Sequence, residues 1–280
     1  MMVEKLLHLD RRIIYAIILA SVVVPLFFPM GLPISATAST TAAFEAVEKL
    51  PEGSIILMSA DYGASTKVEL HPVILATFDQ AMRQNKKVAF MALNPEGQAL
   101  SDEAIATISK KYPEKKYGVD FVNLGYKAGN EAPLVSLGLD FRGVFPTDTK
   151  GTPLSDIPML SRVTQLSQIA LVGSYSSGYP GALEHIRLTA TQYGRPVVVV
   201  ATAVMTPQYF PYFESKQIVG LVGGLRGAAE YENLCGYQGT AVSGMDAQSI
   251  AHFTIAGLIL FSNLMSFLQW WGKRREEQQG

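Results

Sequence analysis

Apolar and polar positions along the chain fall into three regimes. Two long charge-free stretches, 13–34 and 250–271, stand near the ends, and between them short apolar runs alternate with amphipathic segments. The runs are 54–60 (SIILMSA), 87–93 (KVAFMAL), 119–124 (VDFVNL), 169–173 (IALVG), 196–202 (PVVVVAT) and 218–222 (IVGLV). Several are apolar on both faces and rich in β-branched residues, the pattern of buried parallel strands. A helical period predicts helices over 68–84, 102–112, 180–193 and, more weakly, 207–215. Ser101 before Asp102-Glu103 reads as a helix start, and Tyr193-Gly194 before Arg195-Pro196 as a stop. Strand and helix taking turns predicts βαβ units, hence an α/β domain with a doubly wound, mainly parallel sheet. Its expected core includes Ile55, Ile56, Val88, Phe90, Ile169, Leu171, Val198, Val200 and Val219.

The two apolar stretches predict transmembrane helices at 13–34 and 250–271, near the ~20 residues needed to cross a bilayer. Lys5, Arg11 and Arg12 precede the first, and Lys273, Arg274 and Arg275 follow the second. Basic clusters against apolar spans mark the cytoplasmic side. The expected topology is a cytoplasmic N-terminus (1–12), an extracytoplasmic domain (35–249) and a cytoplasmic tail (272–280), a two-pass protein of the cell membrane. A rival reading of the first stretch is a cleavable signal ending at Ala36-Thr37-Ala38. The apolar run of 22 residues exceeds the ~7–15 of a signal core and favours an anchor. In the second stretch Trp270 and Trp271 form an interfacial anchor, while Ser262, Asn263 and Ser266 are polar at depth. Two readings of these stay open: the two helices pack on each other within one chain, or Asn263 bonds across subunits.

Composition changes this picture by exclusion. The chain has 280 residues, 23 Lys+Arg against 24 Asp+Glu, and one cysteine. The stretch between the spans is near neutral, with no polybasic face for nucleic acid. A disordered chain, a coiled coil, a polytopic transporter and a disulfide-stapled mini-protein do not fit. Cys235 stands alone and is expected as a buried thiol. The region 125–168 is rich in Gly, Pro, Asp and Thr, with short helices expected at 131–137 and 157–166. So long an insertion is expected either to be functional or to form a subunit contact.

Chemistry is sparse. Ligands of open α/β sheets bind beyond the carboxyl ends of the strands, which here supply Asp61, Thr66, Ser174, Ser176 and Arg226 as candidate ligand-binding residues. The Ser/Gly-rich loop 173–178 and the glycines of 220–227 match neither G-x-x-x-x-G-K-[ST] nor G-x-G-x-x-G, and strand-to-helix packing explains them first. No serine sits in G-x-S-x-G, and no His/Cys cluster has metal spacing, so no catalytic residue, metal or cofactor is assigned. His71 and His185 are expected as caps or surface residues. Glu230 and Glu232, at i and i+2, are expected to be solvated or to face a partner.

The stretches STKVELHP (65–72), VFPTDTKGTPLSDIPM (144–159) and TPQYFPYFESKQIVGLVGGLRGAAEYE (206–232) resemble an uncharacterised family of prokaryotic membrane-anchored proteins over most of residues 50–235. The family carries no established activity, so the resemblance implies an extracytoplasmic α/β domain on membrane helices and no substrate. Two functions are expected to compete. One is a non-catalytic assembly or interaction subunit held in the lipid bilayer, partnered by copies of itself or by other membrane subunits. Its candidate interface is the insertion 125–168, the aromatic run Tyr209, Phe210, Tyr212 and Phe213, and Asn263. The other is a small-ligand-binding or hydrolytic domain using the strand-end loops.

Overall fold

Six parallel strands in the order β3-β2-β1-β4-β5-β6 form the centre of the computed structural model, which describes residues 10–277. They are β1 (Ile55–Asp61), β2 (Lys87–Ala92), β3 (Phe121–Tyr126), β4 (Leu171–Ser176), β5 (Val197–Ala201) and β6 (Gly220–Gly223). The central strands β1, β4 and β5 are buried almost throughout. Covered on both faces, they need apolar side chains in both directions, which is why they read as unbroken apolar runs. Register pairs Ile56 with Leu171 and Asp61 with Ser176 across β1 and β4.

One face of the sheet is covered by α2 (Ala38–Glu48), α3 (Lys67–Arg83), α4 (Gly97–Ile108) and α9 (Gly224–Cys235). At Gly97 a Cβ would lie 1.8 Å from the Ala60 carbonyl oxygen, so only glycine lets α4 come this close to β1. On this face Phe78 of α3 stacks edge-on against Phe90 and Phe121, with ring centroids 5.1 and 5.6 Å away. The other face carries α5 (Ala132–Leu139), the four-residue α6 (Phe141–Val144), α7 (Ala182–Glu184) running on as a π-helix (His185–Gln192), and α8 (Thr206–Glu214).

The insertion between β3 and β4 is core, which corrects its expected role. Leu134, Leu137, Phe141, Leu160 and Leu166 are buried in the same cluster as Leu57, Ala89, Val122 and Val172 of the sheet. It takes the place of a crossover helix on that face. The helix expected at 157–166 is absent: Ile157, Met159, Leu160 and Val163 reach the core from successive turns. Val219, expected in the core, is 38% exposed, because β6 is an edge strand and this residue lies just before its first paired position, Gly220.

The chain divides into two compact units, Ile34–Val242 and the terminal segments up to Pro33 and from Ser243. In the terminal unit, α1 (Arg11–Phe27) is only 17 residues long. At 1.5 Å per residue it spans about 25 Å, short of a hydrocarbon core of ~30 Å. Beyond Phe27 the chain is irregular through Pro29 and Pro33, so the span expected at 13–34 is not one helix. Among the described residues one helix is long and apolar enough to cross a membrane, over Thr240–Trp271 within α10 (Thr240–Glu277). A two-pass topology therefore finds no support. Asp246 on α10 is fully buried and accepts the amides of Met30 and Gly31 at 2.8 Å and of Leu32 at 3.0 Å, holding the irregular stretch after α1.

Candidate functional site

Strand order reverses between β1 and β4, and the crevice at such a point is where an α/β sheet ordinarily binds its ligand. Asp61 ends β1 there and Ser176 ends β4. Asp61, Ser174 and Ser176 share one sheet face with Ser59, and the register brings Ser59 beside Ser174. The Asp61 carboxylate accepts the Ser59 hydroxyl at 2.6 Å and the Leu93 amide at 2.6 Å. His185 of the π-helix places Nε2 3.6 Å from Asp61 Oδ2, while its Nδ1 pairs with Thr189 Oγ1 at 3.2 Å. Ser176 Oγ accepts the Ala182 amide at 2.9 Å. Every one of these side chains is buried; Ser174 Oγ and His185 Nε2 have no hydrogen-bond partner. Three of the five candidate ligand residues thus meet in one polar cluster, joined by a histidine expected to be a cap or surface residue. Thr66 and Arg226 lie elsewhere. Thr66 closes a 3-10 turn (Ala64–Thr66), its hydroxyl 3.4 Å from the Gly63 carbonyl; Arg226 is an exposed residue of α9.

Three backbone donors around the strand ends are taken by the chain's own carboxylates. Glu96 accepts the Ala64 amide at 2.9 Å and lies where a Cβ on Gly63 would come within 2.5 Å of its Oε1. In a nucleotide-binding fold this turn after β1 would present its amides to phosphate. Glu69 accepts the Ala203 amide at 2.8 Å after β5, and Glu184 accepts the Gly181 amide at 2.7 Å after β4. The turns that could cradle an anion are neutralised from within. No described group of three or more His, Cys, Asp or Glu side chains is placed to hold a metal.

Beside this crevice stands a second constellation that periodicity alone did not pick out. Tyr62 Oη and His71 Nδ1 are 2.7 Å apart, both residues buried. Burial drives the Tyr62 phenol far above its ordinary pKa and brings His71 down to about 4, against the opposing pull of Glu103. Tyr62 therefore keeps its proton at neutral pH and His71 is uncharged, so the contact joins two neutral groups, its direction set by the His71 tautomer. Lys67 Nζ meets both oxygens of Glu103, at 2.7 and 2.6 Å, and holds that carboxyl below its usual range.

Glu230 and Glu232 overturn the expectation that they are solvated. Both are buried on α9. Glu230 Oε2 accepts the Thr37 amide at 3.0 Å and hydroxyl at 2.8 Å, at the start of α2, while its Oε1 takes Arg226 Nε at 3.0 Å. Glu232 accepts the amides of Ala241 (3.2 Å) and Val242 (3.0 Å) in the first turn of α10. One helix thus supplies the carboxylates that satisfy the starts of two others.

Of the candidate interface residues, Tyr209 is buried in the core and Tyr212 and Phe213 are half-buried against the same cluster. Phe210 is 44% exposed, and Asn263 is exposed on α10. Cys235 is buried, its Sγ 3.7 Å from Gln80 Oε1. No protein-family model matches the chain, and no curated protein matches it.

Proposed function

We propose that the chain is a membrane-tethered, non-catalytic subunit whose α/β unit works by contact with other proteins. The observation that carries this reading is the contrast at the strand carboxyl ends. The groups a ligand would need there are buried or already bonded, whereas the segments after β1, β4 and β5 expose Val68 (68%), Tyr179 (65%) and Val204 (88%). Glu69 beside Val68 accepts the amide of Ala203 beside Val204, so these two exposed side chains flank one junction, the start of a contact surface. The competing reading, a small-ligand or hydrolytic domain, loses its nucleus because Asp61, Ser174 and Ser176 are closed to solvent.

Tethering rests on α10. Its Thr240–Trp271 stretch is long and apolar, ends in two exposed tryptophans, and Arg274 stacks 4.4 Å over the Trp270 ring. The following Lys273-Arg274-Arg275 favours a cytoplasmic carboxyl end and an extracytoplasmic α/β unit. The resemblance to membrane-anchored proteins agrees with it. Asn263 supplies a polar contact within the bilayer to a second copy or another membrane subunit, worth only about 0.6–2 kcal/mol. A stable assembly needs an external contact of ~1,000 Å² or more as well, for which Phe210 and the three exposed residues are the candidates.

Extraction in mild detergent, followed by mass measurement and identification of co-purifying chains, tests the reading. An oligomer or fixed complex is expected, slightly weakened by Asn263→Leu and dissolved by Val68→Asp with Val204→Asp. A monomer without partner overturns it.

A further inference from the structure

Two opposite sides of α10 have different surroundings. Between positions 251 and 270 the half-buried residues are Ala251, Thr254, Leu258, Phe261 and Met265, and the rest are exposed. Steps of three and four put those five on one stripe, turned to the rest of the terminal unit. On the far side a second stripe repeats the same spacing: His252, Ala256, Ile259, Asn263, Ser266 and Trp270, every one exposed. Alternating steps of four and three are the a/d repeat of a left-handed helix pair, here with Ala256, Asn263 and Trp270 at a. Ser266 donates its hydroxyl to the Ser262 carbonyl at 3.0 Å and is satisfied within its own helix. Asn263, near the middle of the charge-free stretch 250–271, has no hydrogen-bond partner among the described residues. In hydrocarbon an unpaired carboxamide is costly, so this stripe calls for a polar neighbour.

We infer that the stripe is the seam of a parallel, two-fold pair of α10 helices from two copies of the chain, joined at its centre by reciprocal hydrogen bonds between the two Asn263 carboxamides. This rests on the tethering and assembly proposed above and names the partner. Two copies insert with the same orientation, so their Asn263 residues stand at the same depth. A carboxamide carries both donor and acceptor, and therefore pairs with itself across a two-fold axis. A single Asn at an a position is also the device that sets register and oligomeric state in paired helices. Ala256, one heptad earlier, lets the two backbones approach. An unlike helix would need its own polar group at this depth and its own a/d stripe; a second copy brings both.

Disulfide crosslinking of the full-length protein, in the membranes of the cells that make it, tests the pairing. The parent, whose one cysteine is the buried Cys235, is the blank. Single cysteines are added on the seam, Ala256→Cys and Ile259→Cys, and at exposed positions off it, Leu264→Cys and Leu268→Cys. Facing seam residues come within the ~7 Å between Cα atoms that a disulfide spans. Iodine should therefore give covalent homodimers from both seam variants and little from the other two. Asn263→Leu, combined with Ala256→Cys, should lower the crosslinking rate about threefold, the factor an average transmembrane hydrogen bond supplies. Equal crosslinking at all four positions, none at the seam, or a rate indifferent to Asn263→Leu would each overturn the pairing. Mass measurement keeps the two readings apart. A complex with unlike chains and no seam crosslink overturns the pairing and leaves the proposed assembly standing.

Discussion

Glu232 and Val242 are joined by a 3.0 Å bond from the Val242 amide to Oε2, while Oε1 of the same carboxylate takes the Ala241 amide at 3.2 Å. Burial outweighs these two donors and raises the Glu232 pKa from 4.5 to about 7. Between those values the folded chain binds more protons than the unfolded one. The stability this group contributes is therefore complete below about pH 4.5 and is lost as pH rises through about 7. Glu232→Gln removes the titration, so its melting temperature should fall less than that of the parent over the same interval. Superimposable pH profiles for the two proteins would trace the slope to another group.

Asp61 is the keystone of the buried cluster. Asp61→Ala strands the Leu93 amide and the Ser59 hydroxyl and leaves His185 without its acidic neighbour. Each buried orphan costs about 1–3 kcal/mol, so a loss of roughly 3 kcal/mol is expected. In a domain of this size that lowers the melting temperature by about 6–12 °C. Thermal unfolding followed by near-ultraviolet circular dichroism measures it, and a shift under 2 °C, well below the ~6 °C expected, would mean the cluster is loosely held.

Gly97→Ala should be among the most damaging single changes. Its methyl carbon would sit 1.8 Å from the Ala60 carbonyl oxygen, a backbone atom that cannot swing aside. Displacing α4 from β1 is expected to cost at least about 2 kcal/mol, as overpacking does. Gly178→Ala, with nothing within 4 Å of the new carbon, serves as the control and should stay close to the parent in denaturant unfolding.

The Cys235 thiol should resist maleimide in the folded protein. It is buried, and burial pushes its pKa well up, so little thiolate exists to react. Labelling is expected to follow global unfolding in urea. Rapid labelling in native buffer would reveal local opening of the end of α9.

Much of the sheet was legible because six buried parallel strands cannot help writing unbroken apolar runs into the sequence. The helix α4 was legible because one face stays wet, with Leu100, Ala104 and Ile108 buried and Asp102, Glu103 and Thr107 exposed. The helix α3, buried almost all round from Leu70 to Met82, was found by its length, and two other helices were hidden. The segment 38–48 carries small residues and threonines around Phe44 and Val47 and lacks a strong periodic contrast, and α9 begins in glycines that read as a loop. Asp61, Ser174 and Ser176 were found together because strand ends converge by topology. His185 was undervalued because its partner is fixed only when the chain after β4 folds back over β1. Glu230 was misjudged for a similar reason: its bond to Thr37 closes a loop of 193 residues, a separation no local pattern reports. The insertion misled by composition: Leu134 and Leu137 reach the core from a helix close to the one expected at 131–137, but Ile157, Met159, Leu160 and Val163 reach it from turns.

The strand order has a consequence for synthesis. β1 is one of the two central strands and the first strand to leave the ribosome, and β2 and β3 can join it at once on one side. Its other edge pairs only with β4, and the cover for Leu57, Ala89 and Val122 arrives with the insertion that precedes β4. At ~5–20 residues per second, that half-sheet waits several seconds with an open edge and a bare apolar face. During that interval the nascent chain is a client for a holding chaperone. Slow codons between β3 and β4 would lengthen the exposure and lower the yield of folded protein while changing no amino acid.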